Sequence, residues 1–261
     1  MARRIVITSG KGGVGKTTVT ANLGIALANL GARVAMIDVD FGLNNLDVVM
    51  GLEKQITYDM LDVLEGRCRI KQALIPDKTR KNLYVLPSGN VSCSLGITGQ
   101  QIKLLLESVS SVFDYVLIDC PAGIDVGFHR AVSSADEAII VATPSITSLR
   151  DADKVVTVLK SYKLNSMGVV INRARGDLIM SDKMITPADI SCLLKTEVIG
   201  VLPEEDIVFL KNSDMPRNSD SFKAYKLLAQ NVHKKTGKLF DVTGKYVGFL
   251  GSIRRSLKRN V

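Results

Sequence analysis

The chain has 261 residues, 46% of them hydrophobic and 23% charged, which suits one large α/β core and excludes wholesale disorder. Its net charge of +8 is uneven: residues 234–261 hold eight bases against the single acid Asp241, so +7 sits in a tail and +1 in everything before it. Such a tail points to an anionic partner, membrane or nucleic acid, while the lack of tryptophan gives no support to a base-stacking surface.

The first strand is expected at residues 4–9, directly after Met-Ala-Arg-Arg. This leaves no room for a presequence before the first loop. Further strands are expected at 33–38, 83–87, 115–119, 138–143, 168–172 and 198–202. Most are nearly continuous in Val, Ile and Leu, as strands buried on both faces of a parallel sheet are. Between them, helical patterns cover 16–30, 100–112, 126–134, 148–162, 187–194 and 219–235, with Gly31 placed to stop the first. The alternation predicts βαβ units and a doubly wound, mostly parallel sheet. An ATPase-like domain is expected over 1–235, a linker over 236–245 and an amphipathic tail over 246–261. No apolar run reaches the roughly 18 residues that span a bilayer. The cysteines, Cys68, Cys93, Cys120 and Cys192, form no CxxC pair, so neither zinc nor disulfides are expected.

Gly10-Lys11-Gly12-Gly13-Val14-Gly15-Lys16-Thr17 satisfies GxxxxGK[ST] between an expected strand and an expected helix. The glycines let backbone N–H groups approach phosphate oxygens, and the helix N-terminus adds partial positive charge there. Lys16 is placed for the β- and γ-phosphates, the Thr17 hydroxyl for Mg²⁺ and Thr18 for the α-phosphate. A plain glycine turn does not need the Lys-Thr pair.

With its second lysine, Lys11, this loop resembles the deviant Walker A loop of the ParA/MinD ATPase family. The resemblance implies ATP and Mg²⁺ as ligands, hydrolysis to ADP and phosphate, and an ATP-dependent homodimer. In it, Lys11 reaches the phosphates bound by the other subunit. Asp38-Val39-Asp40-Phe41-Gly42 resembles the first switch, with Asp40 orienting the attacking water near the metal. Asp119-Cys120-Pro121-Ala122-Gly123 resembles the second, with Asp119 holding Mg²⁺ through water and the Gly123 amide sensing the γ-phosphate. Asn172 and Pro203 match positions that contact the base in relatives. Both aspartates close predicted strands, where open α/β sheets bind ligands.

Several further segments resemble the MinD branch: Gly42-Leu43-Asn44-Asn45-Leu46-Asp47, Gln72-Ala73-Leu74-Ile75, Asn82-Leu83-Tyr84-Val85-Leu86-Pro87, Ala135-Asp136-Glu137-Ala138 and Leu149-Arg150-Asp151-Ala152-Asp153. That branch implies a slow ATPase stimulated by a MinE-like activator. It also implies recruitment of a MinC-like inhibitor of division. The expected location is the cytoplasm, reversibly at the inner face of the cell membrane, or a plastid stroma for a plastid-encoded chain.

On a helix turning about 100° per residue, Tyr246, Phe249, Leu250, Ile253, Leu257 and Val261 fall within roughly 120°. Arg254, Arg255, Lys258 and Arg259 fall outside that arc. Tyr246, Phe249, Leu250, Ile253, Arg254, Leu257 and Lys258 are therefore expected to meet an anionic membrane surface, and Gly248 and Gly251 to weaken the helix in water. Two alternatives stand beside this reading. A flagellar-placement ATPase of the FlhG type shares the loop and tail, but carries an N-terminal extension. A DNA-partitioning ATPase of the ParA type would use its bases on nucleic acid and has no need of the apolar stripe.

Overall fold

In the computed structural model, residues 1–41, 45–89, 96–210, 215–248 and 251 are described, without the side chains of 209 and 210. Eight strands form one sheet: β1 (Arg3–Thr8), β2 (Val34–Asp38), β3 (Ile75–Pro76), β4 (Leu83–Leu86), β5 (Tyr115–Asp119), β6 (Glu137–Ala142), β7 (Ser166–Ala174) and β8 (Val198–Pro203). The spatial order is β3-β4-β2-β5-β1-β6-β7-β8. Only the β3–β4 pair is antiparallel. The seven expected strands are all present, most within one residue at each end. Strand β7 is longer than expected and β3 was not foreseen. A two-residue edge strand leaves no alternating pattern to read.

Strands β2 and β5 are buried at every position, which accounts for their unbroken apolar runs. Alternate residues serve opposite faces: Ile5 and Ile7 join one core, Val6 the other. The first core packs under α1 (Lys16–Asn29) and α11 (Asp220–Lys234). The second packs under α5 (Gly99–Val109), α6 (Val126–Val132), α7 (Ile146–Leu159) and α9 (Pro187–Leu194). Short helices absent from the sequence reading are α2 (Leu46–Met50), α3 (Met60–Leu64), α4 (Ile70–Ala73), α8 (Gly176–Ile179) and α10 (Ile207–Leu210). One or two turns are too few for periodicity to register. Helix α3 did carry a start signal: Asp59 and Asp62 cap each other's backbone N–H.

The segment 236–245 departs from the linker expected there. Val242 is core, Phe240 packs against both cores, and Asn231 Nδ2 donates to the Lys238 carbonyl at 2.8 Å. Lys245 Nζ pairs with Asp220 at 2.8 Å. Its polar composition conceals Phe240 and Val242, which with Tyr246 are set on the domain through a turn at 244–246. Tyr246, expected at a membrane surface, is 4% exposed here and packs on the domain. Phe249, Leu250, Ile253, Arg254, Leu257 and Lys258 lie outside the described residues.

Candidate active site

The phosphate loop leaves β1 after Thr8 and turns into α1 at Lys16. Gly13 (φ 77°) and Gly15 (φ 94°) adopt the left-handed region, which a side chain resists. Gly15 caps α1, and an ideal Cβ there would stand 2.5 Å from Asn172 Nδ2. At Gly10 a Cβ would collide with the Asp151 carbonyl of α7. Ser9 Oγ donates to the Lys11 carbonyl at 2.8 Å, closing the loop's first turn. Lys16 is buried at 9% exposure and Lys11 is exposed, so the two lysines of the motif face different surroundings.

The two aspartate strand ends meet the loop from below. Asp38 and Asp119 are register partners at the ends of β2 and β5. Asp119 accepts from Thr20 Oγ1 at 2.8 Å and from the Thr17 hydroxyl. Burial pushes its pKa up to about 6 against the pull of both hydroxyls and Lys16. Asp38 is raised too, by burial first and by Asp119 second. It accepts from the N–H of Asp40 at 2.8 Å and of Leu46 at 3.2 Å, so one carboxylate fastens the backbone at both residues. Asp40 itself is half-buried, with its carbonyl taking the Ser88 hydroxyl at 3.2 Å. The buried Asp119 carboxylate beside the Thr17 hydroxyl is a hard oxygen set that fits Mg²⁺. The raised pKa values of Asp38 and Asp119 mark charge left uncompensated by the protein alone.

Gly123 is next to the loop, but its N–H donates to the Ser9 carbonyl at 3.1 Å, so it is engaged in this state and not offered to a phosphate. On the far side, Asn172 Nδ2 donates to the Val14 carbonyl at 2.8 Å. Gly15, Thr18, Asn172, Arg173, Pro203, Glu204, Glu205 and Val208 line one recess, which brings together the two residues expected near a base and the start of α1. Asp38 and Thr20 were missed as site residues. A signal for Asp38 existed, since it ends its strand as Asp119 does. Cys120, beside them, is an idle thiol: burial pushes it up to about 12. No described helix is long and apolar enough to cross a membrane.

Residues 2–170 match a family described as an AAA domain. The septum site-determining protein MinD of Synechocystis is 42% identical, with 98% of this chain and 99% of that one covered. Among solved structures, the MinC:MinD cell division protein complex of Aquifex aeolicus has a TM-score of 0.81 at 42% identity, covering 89% of this chain and 96% of that one. The MinD of Pyrococcus horikoshii, solved with Mg-ADP, has a TM-score of 0.80 at 33% identity, covering 91% and 98%. A phosphate loop set over two strand-end aspartates, in a chain alike from end to end at this identity, belongs to the MinD family of P-loop ATPases.

Proposed function

We propose that this chain is an ATP-dependent dimerising ATPase that binds an anionic membrane and positions the division site by recruiting a division inhibitor. The observation that carries the reading is the site's asymmetry. Lys16 is buried against the Asp119 side of the loop, while Lys11 stands exposed at its rim. A lysine that serves its own subunit's phosphates belongs inside. One that serves a neighbour's must project. Ile124, Val126 and Ile146 are exposed apolar residues on the segments that border the loop, where a second subunit would cover them.

In this reading, backbone N–H groups of residues 10–15 and Lys16 bind the phosphates. Asn172 and Pro203 face the base. The Thr17 hydroxyl would hold Mg²⁺, with Asp119 acting through water, and the ion would neutralise phosphate charge. Asp40 orients the attacking water. Lys11 from the second subunit adds positive charge at the γ-phosphate, where charge develops. Binding of ATP thus builds the dimer, and a dimer offers two tails where a monomer offers one. One amphipathic helix binds weakly, while two gain through effective concentration. The recruited partner is a MinC-like inhibitor, in line with the MinC that the Aquifex relative binds. A MinE-like activator would speed hydrolysis and release.

The test is sedimentation with anionic vesicles in ATP and in ADP, beside a chain truncated before residue 246. Pelleting of the full-length protein only, and only in ATP, supports the switch. Equal pelleting in both nucleotides overturns it, and ATP-driven retention on plain duplex DNA replaces it with a partitioning ATPase.

A further inference from the structure

The base of the tail is built into the domain, and its contacts are specific. Asp241 takes the Thr243 N–H at 2.8 Å and the Thr243 hydroxyl at 2.6 Å, and the Tyr246 N–H donates to the Thr243 carbonyl at 2.8 Å. These bonds fold 241–246 into a compact turn. Tyr246 then drops its ring over Gly176, the first residue of α8. A Cβ on Gly176 would collide with the Val242 carbonyl and stand 3.0 Å from Tyr246 Cδ2, so a notch only glycine can leave receives the ring. Lys245 crosses the Tyr246 ring at 5.6 Å and ends on Asp220, in the first turn of α11, at 2.8 Å. The same turn is fixed to the nucleotide side of the molecule. Glu205 lines the recess with Asn172 and Pro203, and its carboxylate accepts the Ser221 N–H at 2.8 Å. Upstream, Asn231 clamps the Lys238 carbonyl and Val242 is core. Two residues after Tyr246, Gly248 takes a positive φ of 74°.

We propose that residues 236–246 are a docked strap, latched by Lys245–Asp220 and by Tyr246 in the Gly176 notch, which holds the membrane-binding tail on a short tether. The proposal rests on the membrane reading above and deepens it. A loose segment over 236–248 would be roughly 13 residues long and wander about 20 Å root-mean-square. Docked, it contributes almost none of that freedom. The second tail of a dimer therefore searches a smaller volume once the first has bound, and effective concentration falls steeply with tether length. The latch strengthens membrane binding by the dimer while touching neither lipid nor nucleotide.

The experiment uses the full chain. Amide exchange without lipid reads the strap directly, and the N–H groups of 238, 243 and 246 are expected to exchange far more slowly than an open loop. Sedimentation in ATP with vesicles of equal parts phosphatidylcholine and phosphatidylglycerol then reads its role. Lys245→Asp and Asp220→Lys each lower apparent vesicle affinity about three- to tenfold, following the tether-length dependence. The double exchange restores it to within about twofold of the wild type, and basal ATP turnover stays unchanged throughout. Gly176→Val, which fills the notch, gives the same loss by an independent route. Fast exchange across 238–246 overturns the strap. Slow exchange with single variants that pellet like wild type overturns its tethering role. Wild-type protein that never pellets in ATP refutes the membrane reading itself, and the tether with it, whatever the exchange rates.

Discussion

Gly15→Ala separates two costs that most glycine substitutions mix. Gly15 sits at φ 94° as the N-cap of α1, so an alanine pays about 1–2 kcal/mol for the left-handed backbone. Its Cβ would also stand 2.5 Å from Asn172 Nδ2. That amide must move, which breaks its 2.8 Å bond to the Val14 carbonyl and adds about 1 kcal/mol. Gly31 supplies the control: its φ is 93°, and a Cβ there meets nothing within 4 Å. Gly31→Ala should cost only the backbone term. At about 2–4 °C per kcal/mol for a chain of this size, the expected loss in melting temperature without nucleotide is roughly 2–8 °C for Gly31→Ala and a few degrees more for Gly15→Ala. Calorimetric titration with Mg-ADP should show at least a tenfold weaker affinity in Gly15→Ala and no change in Gly31→Ala. Equal melting temperatures would refute the contact argument, and undiminished nucleotide affinity in Gly15→Ala would refute the placement of the phosphates.

The raised pKa of Asp119 gives a pH dependence with a definite sign. The folded chain holds a proton up to about 6 that the unfolded chain releases near 3.8, so this group's contribution to stability is fullest in acid and declines as pH rises through that window. Mg-nucleotide needs the carboxylate ionised, so affinity for Mg-ADP should weaken as pH falls through about 6, with proton release visible as binding heats that differ between buffers; identical heats at pH 6 would count against it. Glu137 behaves in the opposite sense, because its bonds to Arg3 at 2.6 and 2.8 Å and to Ser166 hold its pKa down against burial. Glu137→Gln should lower stability by about 1–2 kcal/mol at neutral pH, after allowing for the one-third exposure of Arg3, and the deficit should vanish in acid as the wild-type carboxylate takes up its proton. Lys11→Ala should bind ATP but stay monomeric on a sizing column, and an ATP-dependent dimer of normal mobility would remove Lys11 from the interface.

How far the sequence could be read follows from how much each signal depends on distant parts of the chain. The strands were legible because positions buried in the sheet are filled almost wholly by apolar residues up to a closing aspartate, as in Val34–Asp38 and Tyr115–Asp119. The phosphate loop was legible because its chemistry is contiguous. Gly123 was readable as a neighbour of the loop, but its bond to the Ser9 carbonyl belongs to tertiary geometry. The burial of Tyr246 was hidden for a related reason. Helical periodicity places it on the apolar stripe, whereas a glycine 70 residues earlier, Gly176, decides its burial. The strap escaped notice because three apolar residues spaced through a polar segment have no period until the surface they dock on is known.

The two buried carboxylates invite the reading that they are interchangeable, and their partners argue otherwise. Asp119 is held by hydroxyls, from Thr17 and Thr20, which rotate and can exchange one acceptor for another. It is free to turn toward a cation. Asp38 is held by two backbone N–H groups, from Asp40 and Leu46, whose directions the chain fixes. It fastens the segment that carries Asp40 and has little freedom for anything else. Asp38→Asn tests the distinction. The amide keeps one acceptor for two N–H donors, so one end of the segment is released, while the loss of a buried charge beside Asp119 relieves repulsion. The expected result is ATP turnover reduced tenfold or more, Mg-ADP affinity within about threefold of wild type, and a melting temperature unchanged or higher. A parallel fall in affinity and turnover would mean that Asp38 serves the nucleotide directly. A melting temperature several degrees lower would mean that its two N–H bonds hold the fold and not merely the placement of Asp40.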